Sequence, residues 1–409
     1  RDERMVMVQS VEVTNVRFAN ATDEDERRLS ALLEEVIPDW DLSISLDRLI
    51  TSLEDAERER ASMSGVAVEP PKIVFASTPT VLISIDGEPR LRDVEGSDLK
   101  RVINTPFTIV LATDGTYYLF AGEESWYSSE DLAAGWALVS RVPSGIAALA
   151  PPPDDEVETD IDSATVEPGP PPAIMVAVEP TELIVSEGAP EWVPITGTEL
   201  LYMSNTESDV LLEIGSQQHY IVLSGRWYKS ATLDGAWTHV PPDSLPASFA
   251  DIPPGSEMGH LLVSVPGSEA AEEAVLDNQI PQTAAISRSD ARLDVTYDGE
   301  PQFEPIEDTE MEYAINTSYQ IIHVDDAYYA CYEAAWFVAQ SPTGPWAVAD
   351  MIPAAIHNIP PTVPVHNVKY VYIYDTTPEV VYVGYTPGYT YSYVYGGTIV
   401  YGTGYYLSL

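Results

Sequence analysis

Cysteine and basic residues are scarce in this sequence of 409 residues. The first scarcity argues against a disulfide-stabilised protein, and the second argues against a nucleic-acid-binding protein. Cys331 is the only cysteine, so the chain cannot form an internal disulfide. With 65 acidic against 19 basic residues, the formal net charge is -46, and such a field repels phosphate groups. We therefore expect no nucleic-acid partner. Only four of the basic residues are lysines: Lys72, Lys100, Lys229 and Lys369.

Long hydrophobic runs are missing as well. No stretch approaches the roughly 20 apolar residues that a membrane helix needs, so we expect no membrane insertion. No signal peptide is present, yet the chain begins at Arg1 rather than at methionine. We expect a processed chain that is secreted or held at the cell surface. An excess of acid with little lysine is also typical of proteins that stay soluble in high salt.

Recognisable catalytic and metal-binding patterns are absent too. The six histidines are scattered without the His-Glu-x-x-His spacing of a zinc site. The sequence has no nucleophile elbow, phosphate loop or dinucleotide fingerprint. Asp160 and Asp162 could hold a divalent cation, but they lack the other positions of a calcium loop, so solvated acid is the preferred interpretation. We predict a protein that is not an enzyme, with no catalytic residues, no metal site and no cofactor.

One pattern occurs three times along the chain. Residues 123–139, 224–240 and 333–349 each contain a Trp followed by an aromatic residue, then a Gly turn, then a second Trp. An Asn in an Asn-Thr turn precedes each copy, and the copies are spaced by about 101 and then about 110 residues. The shared positions are Trp126, Trp136 and Asn104, then Trp227, Trp237 and Asn205, then Trp336, Trp346 and Asn316.

Within each copy the apolar residues alternate with period two and are cut by Asp-Gly, Gly-x-Pro and Asn-Thr turns. The pattern predicts a mainly β fold with three tandem homologous antiparallel β units of about five strands each. Residues 1–67 are predicted to hold a strand and two amphipathic helices capped by Thr22 and Ser45. The predicted boundaries are 68–150, 173–252 and 280–358 for the three units, 151–172 for a Pro-rich acidic linker, 253–279 for a linker with a short helix capped by Ser268, and 359–409 for a tail.

The tail is rich in tyrosine and nearly free of charge. Two interpretations are open: a closing hairpin of the third unit, or strands that dock on another subunit. The second interpretation makes the tail an assembly contact in a homo-oligomer or polymer, because an uncharged aromatic strand favours burial over contact with water. The residues assigned to this contact are Tyr370, Tyr372, Tyr374, Tyr389, Tyr391, Tyr393 and Tyr395.

The segments "WYKSATLDGAWTHVPPDSLP", "SNTESDV", "FVAQSPTGPW" and "TPEVVYVGYTPGY" resemble a family of large bacterial extracytoplasmic proteins sometimes labelled carbohydrate-binding family V/XII. The resemblance covers roughly residue 19 to the end of the chain. It implies an extracytoplasmic location and further chain on both sides, and no activity is established for the family.

Two functions remain in view. The favoured one is a non-enzymatic extracellular structural protein that self-assembles into a filament or surface layer through its repeats and tail. The alternative is a carbohydrate-binding or adhesion protein with a glycan partner, in which the recurring aromatic pairs stack on sugar rings. Burial discriminates between them, because a stacking ring needs a free face. The residues assigned to the glycan site are Trp126, Tyr127, Trp227, Tyr228, Trp336 and Phe337.

Overall fold

The computed structural model describes residues 5–7, 28, 32, 43–45, 66–122, 125–151, 171–278 and 280–405. The chain divides into two compact units, Arg1–Gly65 and Val66–Leu409. In the first unit, Met5–Met7 (β1) pairs antiparallel with Ser43–Ser45 (β2). The two helices predicted for residues 1–67 lie almost wholly outside the described residues, as do Asp160 and Asp162 in the predicted linker.

The second unit begins with two short strands, Lys72–Ala76 (β3) and Thr80–Ser84 (β4), which we call the first arm. The first sheet follows as an antiparallel meander in which each strand pairs with the next. The chain reverses between its third and fourth strands at an Asp-Gly turn, where Gly115 has a φ of +90° that favours glycine. Its strands are Leu91–Asp93 (β5), Lys100–Val102 (β6), Ile109–Leu111 (β7), Tyr117–Phe120 (β8), Trp126–Ser129 (β9) and Ala137–Val139 (β10).

A short helix, Ser144–Ala147 (α1), follows the first sheet. The second arm, Ala173–Ala177 (β11) and Thr181–Val185 (β12), then leads into the second sheet, a meander of the same order. Its strands are Trp192–Pro194 (β13), Leu200–Met203 (β14), Val210–Glu213 (β15), Gln218–Leu223 (β16), Arg226–Ser230 (β17) and Thr238–Val240 (β18).

Helical segments connect the second sheet to the third. Three 3-10 segments, Pro242–Ser244, Ala247–Phe249 and Gly259–Ser264, precede the α-helix Glu269–Asp277 (α2). The predicted cap is confirmed, since the Ser268 side chain accepts a hydrogen bond from the main-chain N–H of Ala271. Within the described residues, no helix is long and apolar enough to cross a membrane.

The third sheet is preceded by the strand Gln282–Ser287 (β19) and is again a six-stranded antiparallel meander. Two 3-10 segments follow it, at Ala354–Asn358 and His366–Tyr370, and a third lies at Pro387–Thr390 within the tail. The strands of the sheet are Phe303–Pro305 (β20), Glu312–Ala314 (β21), Gln320–Val324 (β22), Ala327–Tyr332 (β23), Ala335–Ala339 (β24) and Ala347–Val348 (β25).

The tail folds into two small sheets. Val371–Thr376 (β26) and Val380–Tyr385 (β27) join β19 in a three-stranded antiparallel sheet of order β19-β27-β26. Ser392–Tyr395 (β28) and Thr398–Tyr401 (β29) form a hairpin. The protein is therefore mainly β with antiparallel sheets, as predicted, but each meander has six strands rather than about five.

Each of the three meanders is buried on both faces. The arm strands lie over one face of the first and second sheets, and the segments that follow each sheet lie over the other. The third sheet likewise divides two apolar clusters, one of them built with β26. Because residues alternate in direction along a strand, adjacent apolar residues on one strand serve both cores.

Candidate functional site

The recurring aromatic pairs occupy the same place in each meander, the fifth strand. Trp227 and Tyr228 are neighbours on β17, so their side chains point to opposite faces of the second sheet. Trp227 packs in the cluster with Phe249 and Leu261, whereas Tyr228 packs in the cluster with Ile73 and Ile184 of the arm strands. Adjacent aromatic residues thus fill two cores at once, which explains why they recur in this pairing.

The six side chains predicted as a glycan site are buried. Their exposed fractions run from 0% for Trp336 to 4% for Tyr127 and Phe337. Two indoles also donate to the segment that covers them: Trp227 Nε1 lies 2.6 Å from Ser264 O, and Trp336 Nε1 lies 3.0 Å from Val371 O. No ring face in this set is available for a sugar. The structure places Trp126, Tyr127, Trp227, Tyr228, Trp336 and Phe337 in the sheet cores.

The three recurring asparagines each hold a turn by the same three hydrogen bonds. Asn205 donates from Nδ2 to the main-chain oxygens of Glu187 and Ala189, both at 2.9 Å, and its Oδ1 accepts from the N–H of Glu191. Asn104 and Asn316 make the corresponding bonds in the other two turns. All the polar groups of the amide are directed to main-chain atoms, so this motif shapes the turn.

The tyrosines predicted as an assembly contact are divided between the interior and the surface. Tyr370 and Tyr393 are buried, with exposed fractions of 2% and 1%. Tyr389 and Tyr391 are half-buried, and the Tyr389 hydroxyl accepts from the N–H of Ala334 at 3.2 Å. Tyr374 is exposed. The other two, Tyr372 and Tyr395, are half-buried.

The hairpin β28–β29 is fixed to the second sheet by a buried arginine. Arg226 is 4% exposed, and its guanidinium donates four hydrogen bonds to main-chain oxygens. Nη2 reaches Gly402 at 2.7 Å, while Nη1 reaches Tyr401 at 2.9 Å and Ser224 at 3.2 Å. Nε reaches Ala67 at 3.1 Å. We call this group the arginine clamp; it joins three distant segments and leaves little donor capacity for a ligand.

The clamp borders a small crevice that is lined by Trp227, His239, Pro242, Tyr395 and Thr398. Burial lowers the pKa of Arg226 from its ordinary value, and burial followed by the charge of Arg226 lowers the pKa of His239. A neutral imidazole at the wall of an apolar crevice is a weak candidate for binding an anion.

Burial strongly perturbs several titratable groups of the third sheet and tail, among them Cys331 and His366. Burial raises the pKa of the Cys331 thiol to about 12, which keeps it protonated and unreactive. Burial, followed by the charge of Lys369, lowers the pKa of His366 to about 4. His366 Nδ1 lies 2.8 Å from the main-chain oxygen of Ile359. Among the described residues, no three His, Cys, Asp or Glu side chains are grouped to hold a metal ion.

The first and second arms pair with each other in parallel, strand for strand. β3 pairs with β12 and β4 pairs with β11, and the register is the same in both pairings. Their flanking hydrogen bonds also correspond: Lys72 N donates to Pro180 O, and Ala173 N donates to Pro79 O, each at 2.9 Å. We call these four strands the arm joint. Each arm contributes one strand to each pair, so the joint has pseudo-twofold symmetry.

The arm joint exchanges strands between the two sheets. Ile174 and Val176 of β11 pack on the core of the first sheet, beside Tyr127. Ile73 and Phe75 of β3 pack on the core of the second sheet. The first strand of each arm therefore covers the sheet that belongs to the other arm, and the two sheets complete one another.

No protein-family model, curated protein or solved structure matches the chain. The resemblance to extracytoplasmic proteins labelled carbohydrate-binding family V/XII thus stays a prediction. The arginine clamp and the arm joint were both missed by sequence reasoning. The available signal was Arg226 itself, a basic residue directly before the recurring Trp-Tyr pair of a very acidic chain.

Proposed function

We propose that this chain is a non-enzymatic extracellular structural protein that self-assembles into a filament or surface layer by pairing of β strands. The observation that carries the proposal is the arm joint, in which two sheets are united by exchanged strands with one register. Main-chain pairing needs no particular ligand and can join sheets of one molecule or of several.

We further propose that the three meanders are copies of one repeat unit. Support comes from bonds that recur at equal sequence separations in all three. The Thr105 hydroxyl donates to Ser84 O, the Thr206 hydroxyl to Val185 O and the Thr317 hydroxyl to Thr296 O, each at 2.6 Å and each spanning 21 positions. A molecule built from repeats of one unit suits a structural role, since each unit offers the same kind of edge to a neighbour.

In this proposal the tail acts mainly inside its own molecule. Val371 and Val383 belong to buried layers of the same chain, and the hairpin β28–β29 is held by the arginine clamp. Since Tyr382 remains exposed, a part of the tail can still meet a neighbouring molecule. The six aromatic residues assigned to the glycan site are all buried, so they do not support glycan binding.

Charge sets the condition for assembly. At a net charge of -46 per molecule, copies repel one another until salt or divalent cations shorten the range of the field. The test is static light scattering with negative-stain imaging of the full chain at rising NaCl and CaCl2 concentration. We expect mass to rise with salt and ordered assemblies to appear. A monomer of constant mass at every salt concentration contradicts the proposal.

A further inference from the structure

We propose that residues 292–296 form an unpaired strand that pairs antiparallel, about a twofold axis, with the same residues of a second copy of the chain. We call residues 292–296 the open segment. The inference rests on the proposed function of self-assembly and names one contact by which copies join.

The open segment corresponds to the second strand of each arm. The three threonine hydroxyl bonds that span 21 positions end on Ser84 of β4, on Val185 of β12 and on Thr296 of the open segment. In the first two arms this strand is paired over its whole length, β4 with β11 and β12 with β3. The open segment is thus the third member of a set whose other two members both have a strand beside them.

The open segment has the burial pattern of a strand but no partner in the described part of the chain. Leu293 is buried against the third sheet and Val295 is half-buried, whereas Arg292, Asp294 and Thr296 are exposed. No main-chain N–H of residues 292–296 donates a hydrogen bond to any described residue. Such an edge is a template for a further strand.

The chain's own tail explains why β19 and the open segment, which correspond to the two strands of an arm, do not repeat the arm joint. Ala76 lies eight positions before Ser84, and its main-chain oxygen accepts a hydrogen bond from the N–H of Ser186 in the second arm. Arg288 is the corresponding residue before the third sheet, because it lies eight positions before Thr296. The N–H of Arg288 donates instead to Glu379 O, next to β27. β27 therefore occupies the edge of β19 that a second arm would use. An exchange of whole arms between two copies is blocked, and the edge left for a second copy is the open segment.

The open segment is self-complementary. Directly after β4, the N–H of Ile85 donates to Ala177 O of β11, so the odd-numbered residues of β4 face their partner strand. Because Thr296 corresponds to Ser84, the odd-numbered residues Leu293 and Val295 of the open segment direct their N–H and C=O groups to the free edge. A twofold axis through Asp294 then places Leu293 of each copy opposite Val295 of the other copy, and each of these two pairs is hydrogen-bonded. Arg292 lies diagonal to Asp294 of the second copy, which offsets the repulsion between the two Asp294 carboxylates.

Disulfide trapping tests the register. In this pairing the two Asp294 residues face each other as a non-hydrogen-bonded pair with Cα atoms about 4.5 Å apart, a distance that a disulfide can bridge. The two Arg292 residues are about 14 Å apart, because each lies two positions from the axis on opposite sides of it, which is too far for a disulfide. We therefore expect D294C to form covalent dimers under mild oxidation, at a salt concentration at which the protein assembles. The rate should be at least tenfold higher than for the matched control R292C. The native Cys331 is 2% exposed and should not take part.

Failure of D294C to dimerise faster than R292C overturns the inference. If light scattering still shows assembly in that case, the proposed function stands and the contact lies elsewhere. If D294C dimerises but no larger species forms at any salt concentration, the pairing holds and the filament or surface layer is wrong.

A proline pair gives an independent readout without a covalent bond. V295P removes an N–H that is directed to the second copy, whereas D294P removes one that is directed away from it. We expect V295P to weaken self-association at least tenfold by sedimentation, with D294P nearer to wild type and with both proteins shown to be folded by their thermal transitions. Equal association of the two folded variants contradicts the pairing.

Discussion

Nη2 of Arg226 lies 2.7 Å from the main-chain oxygen of Gly402, a residue 176 positions further along the chain. Within the described part of the chain, the guanidinium has no carboxylate partner and is satisfied by main-chain carbonyl oxygens alone. We predict that R226K lowers the free energy of unfolding by about 2–3 kcal/mol, because a lysine ammonium cannot match the planar fork that reaches four oxygens. Urea denaturation measures the loss.

The control for this change is R92A. Arg92 is mostly exposed and lies 3.7 Å from Asp298, so its loss should cost at most about 1 kcal/mol. Equal losses for R226K and R92A would show that the clamp does not hold the tail.

Gly225 and Gly87 have similar backbone conformations but different surroundings, so alanine substitutions at the two positions distinguish a steric clash from backbone strain. Gly225 has φ +78° and Gly87 has φ +71°, so alanine is strained at both by about 1 kcal/mol. A Cβ at residue 225 would clash with the main-chain oxygen of Ile399, whereas a Cβ at residue 87 meets nothing within 4 Å. We predict that G225A destabilises the protein by about 2 kcal/mol more than G87A, measured by thermal denaturation. A smaller loss for G225A than for G87A contradicts the close approach of the hairpin.

The asparagine turns should be sensitive to loss of the amide. Asn205 makes three hydrogen bonds to main-chain groups of its turn, and N205A leaves two carbonyl oxygens and one N–H without that partner. We predict a loss of about 2–3 kcal/mol in the free energy of unfolding. Q340A, at an exposed position, is the amide control and should change stability by less than about 0.5 kcal/mol.

Acid should weaken the third sheet through His366. Its pKa is lowered from 6.5 to about 4 in the folded protein, so between those values the unfolded chain binds a proton that the folded chain does not. The contribution of His366 to the free energy of unfolding is therefore fully present above pH 6.5, and it falls by about 3 kcal/mol as the pH falls towards 4. We predict that H366Q flattens this part of the stability-against-pH curve, measured by urea denaturation at each pH. Identical slopes for H366Q and wild type would assign the acid sensitivity to other groups.

Cys331 should be unreactive in the folded protein. Its thiol is buried and its pKa is raised to about 12, so almost no thiolate exists at pH 8. We predict no labelling by a thiol reagent over an hour at pH 8 and full labelling in denaturant. Rapid labelling without denaturant would mean that β23 opens readily.

Local features of the fold were predictable from the sequence. Alternating apolar residues and Asp-Gly turns predicted antiparallel strands, because burial of one face and a left-handed turn residue are properties of single segments. The burial of Trp227 and Tyr228 on opposite faces of β17 follows from the same alternation. The number of strands was underestimated, since the outermost strands such as Leu91–Asp93 are exposed throughout and carry no burial pattern.

Long-range pairing was not predictable. The arm joint joins β3 to β12 by main-chain bonds, which are alike for all residue types except proline. The partners of Arg226 are carbonyl oxygens, so no second side chain marks the site in the sequence. The tail was assigned to a contact between molecules because its charge is low, yet the same low charge suits strands such as β27 that fill an edge within the molecule.

The exchange of arm strands has a consequence for synthesis on the ribosome. The first sheet, which ends at Val139, is covered in part by Ile174 and Val176 of β11, and these residues are translated only later. The nascent first sheet must therefore expose part of its apolar face until the second arm has left the exit tunnel. During that interval, a neighbouring nascent chain on the same messenger can supply the missing strand, so entanglement of chains is the characteristic misfolding hazard of this architecture.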